Sequence, residues 1–140
     1  MAQNCRFAFA VHVLSSLALS EDGAMNSEQL AETVNTNPVV IRRLLLDLRE
    51  ANLLITQRGP GGGAKLACPS SQISLAQIFK AVSGEFQLFG EHPNEPAKGC
   101  CVGRSIKLVL EDVAQKAARC VEKEYAAISL ADVVHQLQEK

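Results

Sequence analysis

The stretch that most limits what this chain can become runs from residue 26 to residue 68. It reads NSEQLAETV, NTNP, VVIRRLLLDLREANLLITQ and RGPGGGAKLAC in succession. Asn26 with Gln29 three residues on has the form of a capping box, and Leu30, Ala31 and Val34 fall on one side of the helix it opens. That helix ends at Asn35. Asn37 and Pro38 then open a second helix, with asparagine as cap and proline at the first helical position, where its missing N–H costs nothing. Two short helices joined by a polar turn make a helix-turn-helix. Residues 53–56 and 64–67 read as two strands, and the glycine-rich run 58–63 must reverse the chain between them. A hairpin directly after such a helix pair is a wing.

On a helical wheel, Ile41, Leu44, Leu45 and Leu48 form the buried side of the second helix. Val39, Arg43 and Leu46 lie opposite, flanked by Val40 and Asp47 on one side and Arg42 on the other. A helix that reads DNA presents its N-terminal residues to base edges, so Thr36, Val39, Arg42 and Arg43 are the first candidates for contact. Arginine suits guanine or phosphate, and Val39 has the shape to pack on a thymine methyl. Exposed arginines are also ordinary on a solvated face, and it is the wing that tips the reading. Arg58 and Lys65 stand at its base, while Gly61 and Gly62 leave its tip without bulky side chains. Such a tip can lie close to a phosphate backbone or enter a minor groove. A nucleotide-binding phosphate loop is excluded because Lys65 is followed by Leu66, not Ser or Thr, and no helix opens after it.

The 140 residues suffice for one domain with a real core, and 47% apolar with 21% charged residues is a globular balance. A net charge of −1 does not advertise a nucleic-acid partner, yet the charges separate along the chain. Between residues 36 and 66 stand Arg42, Arg43, Arg49, Arg58 and Lys65 against Asp47 and Glu50, whereas residues 111–124 lean acidic. No leader with a cleavage site is expected, and no apolar run is long enough for a membrane span. The cysteines at 5, 68, 100, 101 and 120 are odd in number and lack a secreted framework, so a cytoplasmic protein is expected. No Ser-His-Asp set, carboxylate pair or cofactor fingerprint is present, and no enzyme is expected.

Outside the central stretch, residues 6–20 form an amphipathic helix with Phe7, Ala10, Val11, Leu14, Leu17 and Ala18 inward and His12 off the stripe. After a linker at 69–72, Ser74 caps a helix with Leu75, Ile78, Phe79 and Val82 inward, closing at Gly84. Residues 85–99 contain Pro93 and Pro96 and show no period; a loop of that length raises a functional question. From Val102 to about residue 127 a long helix sets Ile106, Val109, Leu110, Val113, Ala117, Cys120 and Val121 on one apolar seam, continued by Ile128. Such a seam usually packs on another chain, with the first helix as the alternative. A last short helix turns Leu130, Val133, Val134 and Leu137 inward. The expected fold is mainly α with a small β-hairpin: a winged helix-turn-helix at 1–84, a sensor loop at 85–101, and a dimerisation helix with a C-terminal helix at 102–140.

These residues resemble the Rrf-two (BadM-type) family of bacterial winged-helix transcription regulators. The likeness rests on RFAFAVHVLSSLAL, NSEQLAETV, NPVVIRRLLLDLREANLL, the wing RGPGGGAKLA followed directly by ISLAQIFKAVSG, and then HPNEPAKGCCVGRSI with the long helix. It implies a homodimer with crossed long helices that reads a roughly palindromic operator in double-stranded DNA, as a repressor or other regulator. In such a dimer the two reading helices lie one DNA turn, about 34 Å, apart. Some members of the family hold an iron–sulfur cluster through three spaced cysteines before the long helix, and others respond to a small molecule or a protein effector.

Here the pattern departs from the three-cysteine one, because Cys100 and Cys101 are adjacent. Neighbouring thiolates do not easily ligate one small cluster, and a third ligand would have to be Cys5 or Cys120 from a folded neighbour. His92 beside the pair lacks structural-zinc spacing. No cofactor and no metal is therefore expected, with a cluster-sensing regulator kept as one alternative and a winged-helix module that grips a protein as another. The more local chemistry is that of sensor thiols: Cys100 and Cys101 sit at the start of the long helix, where the dipole favours a thiolate. Small, packed, unreactive cysteines are the other reading of the same pair, and packing is the reading for Cys68 and Cys120.

Overall fold

The computed structural model describes residues 5–84, 87 and 89–140, so positions 85, 86 and 88 of the expected sensor loop lie outside the described residues. In chain order the elements are α1 (Arg6–Leu19), α2 (Ser27–Val34), α3 (Pro38–Glu50), β1 (Leu54–Gln57), β2 (Gly63–Leu66), a 3-10 turn (Ser70–Gln72), α4 (Leu75–Ser83), α5 (Cys101–Ala126) and α6 (Leu130–Glu139). None of the described helices is long and apolar enough to cross a membrane.

Local signals set the helix ends. Asn26 and Gln29 bond reciprocally, side chain to backbone, at 2.8 and 2.9 Å. Asn37 Oδ1 accepts from the Val39 N–H at 2.8 Å, with Pro38 as first helical residue. The same reciprocal box starts α4 with Ser74 and Gln77, and α6 with Ser129 and Asp132. Each satisfies amides that a helix start leaves open. Two asparagines turn the chain out of the helices: Asn35 at φ 62° after α2 and Asn52 at φ 61° after α3, a left-handed conformation that asparagine tolerates better than most residues. The Leu53 N–H then returns to the Leu48 carbonyl at 3.0 Å, which lays β1 against α3.

One core holds these elements together. Leu14 and Leu17 of α1, Leu30 of α2, Ile41, Leu44 and Leu48 of α3, Leu54 of β1, Ile78 of α4 and Leu130 of α6 are all buried in it. The first helix differs from its expected stripe: Val13 and Ser15 are buried, while Val11 and Ala18 are only half-buried. It touches α2, α3, α4, α6 and β2, so its covered arc is wider than one stripe and is turned toward Val13. Leu137 is the other departure. It was expected inward but stays exposed near the end of α6, at the rim of a shallow hollow shared with Val11 and Leu19.

The ladder pairs Leu54 with Leu66, Ile55 with Lys65, Thr56 with Ala64 and Gln57 with Gly63. The first strand thus begins one residue later than expected, since the Leu53 N–H is taken by the turn after α3, and the second begins one residue earlier, at Gly63. Met25, just before α2, adds a third short piece through two bonds with Ala64, of 3.0 and 2.8 Å. Gly63 makes this possible: at φ 145° it lies so close to the Met25 carbonyl that a Cβ would collide with it.

The long helix is where the structure corrects the sequence most. No residue of α5 is buried within the chain, and its single expected seam divides. Leu110 and Val121 are half-buried, lining a cleft toward α4, whereas Val102, Val109 and Val113 are 60%, 56% and 48% exposed. Cys120 is exposed as well, not packed. The helix is anchored by a residue the seam omitted: Tyr125 stacks on Phe7 at 5.4 Å and meets Phe79 edge-on at 5.9 Å.

Candidate nucleic-acid interface

The face of α3 away from the core is built by periodicity alone. With Ile41, Leu44 and Leu48 buried, Val39, Arg43 and Leu46 are left exposed, and Val39 and Leu46 keep more than half of their surface. Val40, exposed beside them, extends the apolar part. Thr36 is half-buried in the turn before α3, its N–H bonded to the Ala31 carbonyl at 3.0 Å. Of the two arginines on α3's first turns, only Arg43 is without an ion pair or hydrogen bond among the described residues. Arg42 is held back against α2, 3.2 Å from Glu28 and 3.3 Å from Ser27. Asp47 is likewise engaged, with Arg6 of α1.

In the wing, residues 59–62 form a tight turn closed by a bond of 2.9 Å from the Gly62 N–H to the Gly59 carbonyl. Pro60 at the second position and Gly61 at φ 75° at the third are what a type II turn needs. The two glycines singled out in the sequence have different jobs. A Cβ at Gly61 would meet nothing, so the tip is open there, whereas one at Gly62 would strike the Gln57 carbonyl. Arg58 is exposed at the foot of the turn, and Lys65 stands opposite the exposed Ile55 on the outer side of the ribbon. Neither cation has an ion pair among the described residues. With Asp47 paired to Arg6, Arg43, Arg58 and Lys65 remain as positive charges without an ion pair among the described residues. The exposed Ile55 and the Glu28 contact have no signal in the sequence, because they depend on strand register and helix packing.

The candidate sensor thiols end up in related but unequal places. Cys100 is the N-cap of α5 and Cys101 its first residue, both exposed. The Gly103 and Val102 amides favour the Cys100 thiolate and hold that thiol below its ordinary pKa, although the sulfur forms no closed cap bond. Gly103 is in contact with the Ala97 carbonyl where a side chain would not fit, so the segment before α5 folds back on the helix start. The Lys107–Glu95 ion pair fastens it there. Beside this segment, Gly90 to His92 line an open cavity of about 980 Å³ between α4 and α5, with Phe79, Leu110 and Tyr125 on its walls.

A family model for Rrf2, described as an iron-dependent transcriptional regulator, matches residues 3–136. The chain belongs to the Rrf2 family. The Bacillus subtilis (strain 168) protein YwnA, assigned as an HTH-type transcriptional regulator, is 39% identical over 134 residues, covering 96% of this chain and 98% of that one. A solved structure described as a DNA-binding protein superimposes with a TM-score of 0.72 at 35% identity, over 91% of this chain and 97% of its own. The T. potens IscR structure shares the fold, with a TM-score of 0.74, 21% identity and coverage of 99% and 90%. The winged-helix architecture and the long helix after it are those of Rrf2 regulators.

The iron of the family description needs several donors gathered around one centre. Cys120 lies about five turns along α5 from Cys101, roughly 28 Å away, so the two cannot share an ion within one chain. No group of three or more His, Cys, Asp or Glu among the described residues is arranged to hold a metal, the His92, Cys100 and Cys101 set included. The donor set of a single Rrf2 chain of this sequence does not fit a three-thiolate cluster.

Proposed function

We propose that this Rrf2 protein is a dimeric, sequence-specific DNA-binding repressor, in which α3 and the wing read duplex DNA and the Cys100 region takes a thiol or small-ligand input. The observation that carries the reading is the solvent face of α3, with Val39 and Arg43, next to a wing with Arg58, Lys65 and an open tip at Gly61, the three cations having no ion pair among the described residues. Arginine and lysine suit phosphate and guanine, and an exposed valine suits a thymine methyl. The exposed Val102, Val109 and Val113 line on α5 supports pairing with a second copy. The exposed Cys100 with its favoured thiolate supports an input by oxidation or alkylation of sulfur. No catalytic role and no bound cofactor is part of this function.

The test is binding of the purified protein to fragmented genomic DNA across a salt series. Phosphate contacts dominate such affinity, so binding should fall steeply with salt. Failure to bind any fragment in a salt-sensitive way would sink the reading. One observation favours a protein partner instead: Val39, Val40 and Leu46 make the reading face of α3 unusually aliphatic. Reversing the charge of Arg43 and Arg58 separates the two, since it abolishes DNA binding and leaves an apolar protein contact in place.

A further inference from the structure

Arg42 and Arg43 are neighbours on α3, but the fold treats them differently. Arg43 has no partner among the described residues, whereas Arg42 Nη2 lies 3.2 Å from Glu28 Oε1 and its Nε 3.3 Å from Ser27 Oγ. Both partners belong to the first turn of α2. The side chains of the pair remain 54% and 66% exposed, so it adds little to the stability of the fold. Its effect is on availability. A carboxylate takes up guanidinium donors that a phosphate oxygen would need, and both anions prefer the same forked geometry.

We propose that Glu28 is an internal competitor for Arg42: it holds the arginine in the DNA-free chain, and Arg42 exchanges Glu28 for a backbone phosphate when duplex binds. Glu28 thereby sets the affinity of the protein for DNA without touching the bases. This rests on the DNA-binding reading above. Arg42 is a phosphate contact whose strength is lowered by the bond it must give up, while Arg43 is available from the outset. The exchange has no counterpart at the wing, where Arg58 and Lys65 have no acidic partner among the described residues to release.

Three variants test the exchange: Glu28→Gln, Arg42→Ala and the two combined. The capping of α2 by Asn26 and Gln29 does not involve Glu28, and circular dichroism melts check each variant, with Glu28→Ala as a second form should Gln disturb the helix. The probe is a duplex selected from random-sequence DNA by the wild-type protein, titrated by fluorescence anisotropy at several salt concentrations. Glu28→Gln should bind about two- to fivefold more tightly, the range a surface ion pair is worth, with an unchanged salt slope. Arg42→Ala should bind more weakly and with a slope shallower by about 0.9, one phosphate contact. In the Arg42→Ala background the gain from Glu28→Gln should vanish. An equal gain with and without Arg42 would reduce Glu28 to general repulsion and overturn the exchange, as would no gain at all. Absence of salt-sensitive binding by the wild type is a different failure, that of the DNA reading itself.

Discussion

Arg6 reaches from the first turn of α1 to two other helices: its guanidinium donates to the Asp47 carboxylate on α3, and its Nε donates to the Val82 carbonyl near the end of α4 at 3.0 Å. The helix that carries the candidate reading face is thus tied, at the edge of that face, to the helices that bear α5.

This clamp predicts an unequal pair of stability losses. The two side chains are 29% and 36% exposed, so solvent screens their charges, and Asp47→Asn should cost about 0.5–1 kcal/mol. Arg6→Met also strips the donor from Val82, which is buried, and should cost about 1–2 kcal/mol. Urea midpoints measure both. Equal losses would mean that the bond to Val82 contributes nothing.

On α3, two substitutions should separate positioning from base reading. Arg43→Ala should weaken DNA binding and, if the contact is to phosphate, reduce the salt slope by about 0.9. Val39→Ala should leave the slope alone and relax preference at a single base position, by about 1 kcal/mol or more. Selection from random duplexes with each variant shows which has occurred.

The wing should lose more stability to a methyl group at one glycine than at another. Gly63→Ala places a Cβ against the Met25 carbonyl at a φ of 145° and should cost about 1–3 kcal/mol. Gly61→Ala meets open space and bears only the left-handed penalty, about 1–2 kcal/mol. Thermal unfolding ranks the two. A Gly63 variant as stable as the wild type would mean that the Met25 piece is not part of the wing.

The lowered pKa of Cys100 has a definite sign in reactivity. The thiolate is the reactive form, so a folded-state pKa below the usual thiol value puts more thiolate at neutral pH, and the reaction slows only as pH falls through that depressed value. Iodoacetamide labelling followed by mass spectrometry should show the Cys100 rate half-maximal at a lower pH in the folded protein than in urea. Identical pH profiles in the two states would remove the helix start as the cause.

The outer line of α5 predicts an assembly mutant. Val109→Glu and Val113→Glu should convert a dimer to a monomer in light scattering while leaving the helical signal intact, since neither side chain is buried within the chain. A wild type that is already monomeric at micromolar concentration would refute the dimer.

What the sequence determined by itself is what depends on near neighbours. The box at Asn26, the Ser74 cap, the Asn37–Pro38 start, the buried line of Ile41, Leu44 and Leu48 and the glycine-rich reversal all involve residues within a few positions of each other. They made the winged helix-turn-helix legible. The tertiary structure decided whatever needed a distant partner. Arg42 looks like Arg43 until α2 brings Glu28 to it, and Asp47 looks like part of an open face until α1 brings Arg6. Met25 becomes a strand only because Gly63 lets its carbonyl approach. The apolar seam of α5 is one stripe on a wheel, but packing against α4 and the Tyr125 stack cover only one side of it. Periodicity says which residues share a face; only the other elements of the fold say which part of that face is left over.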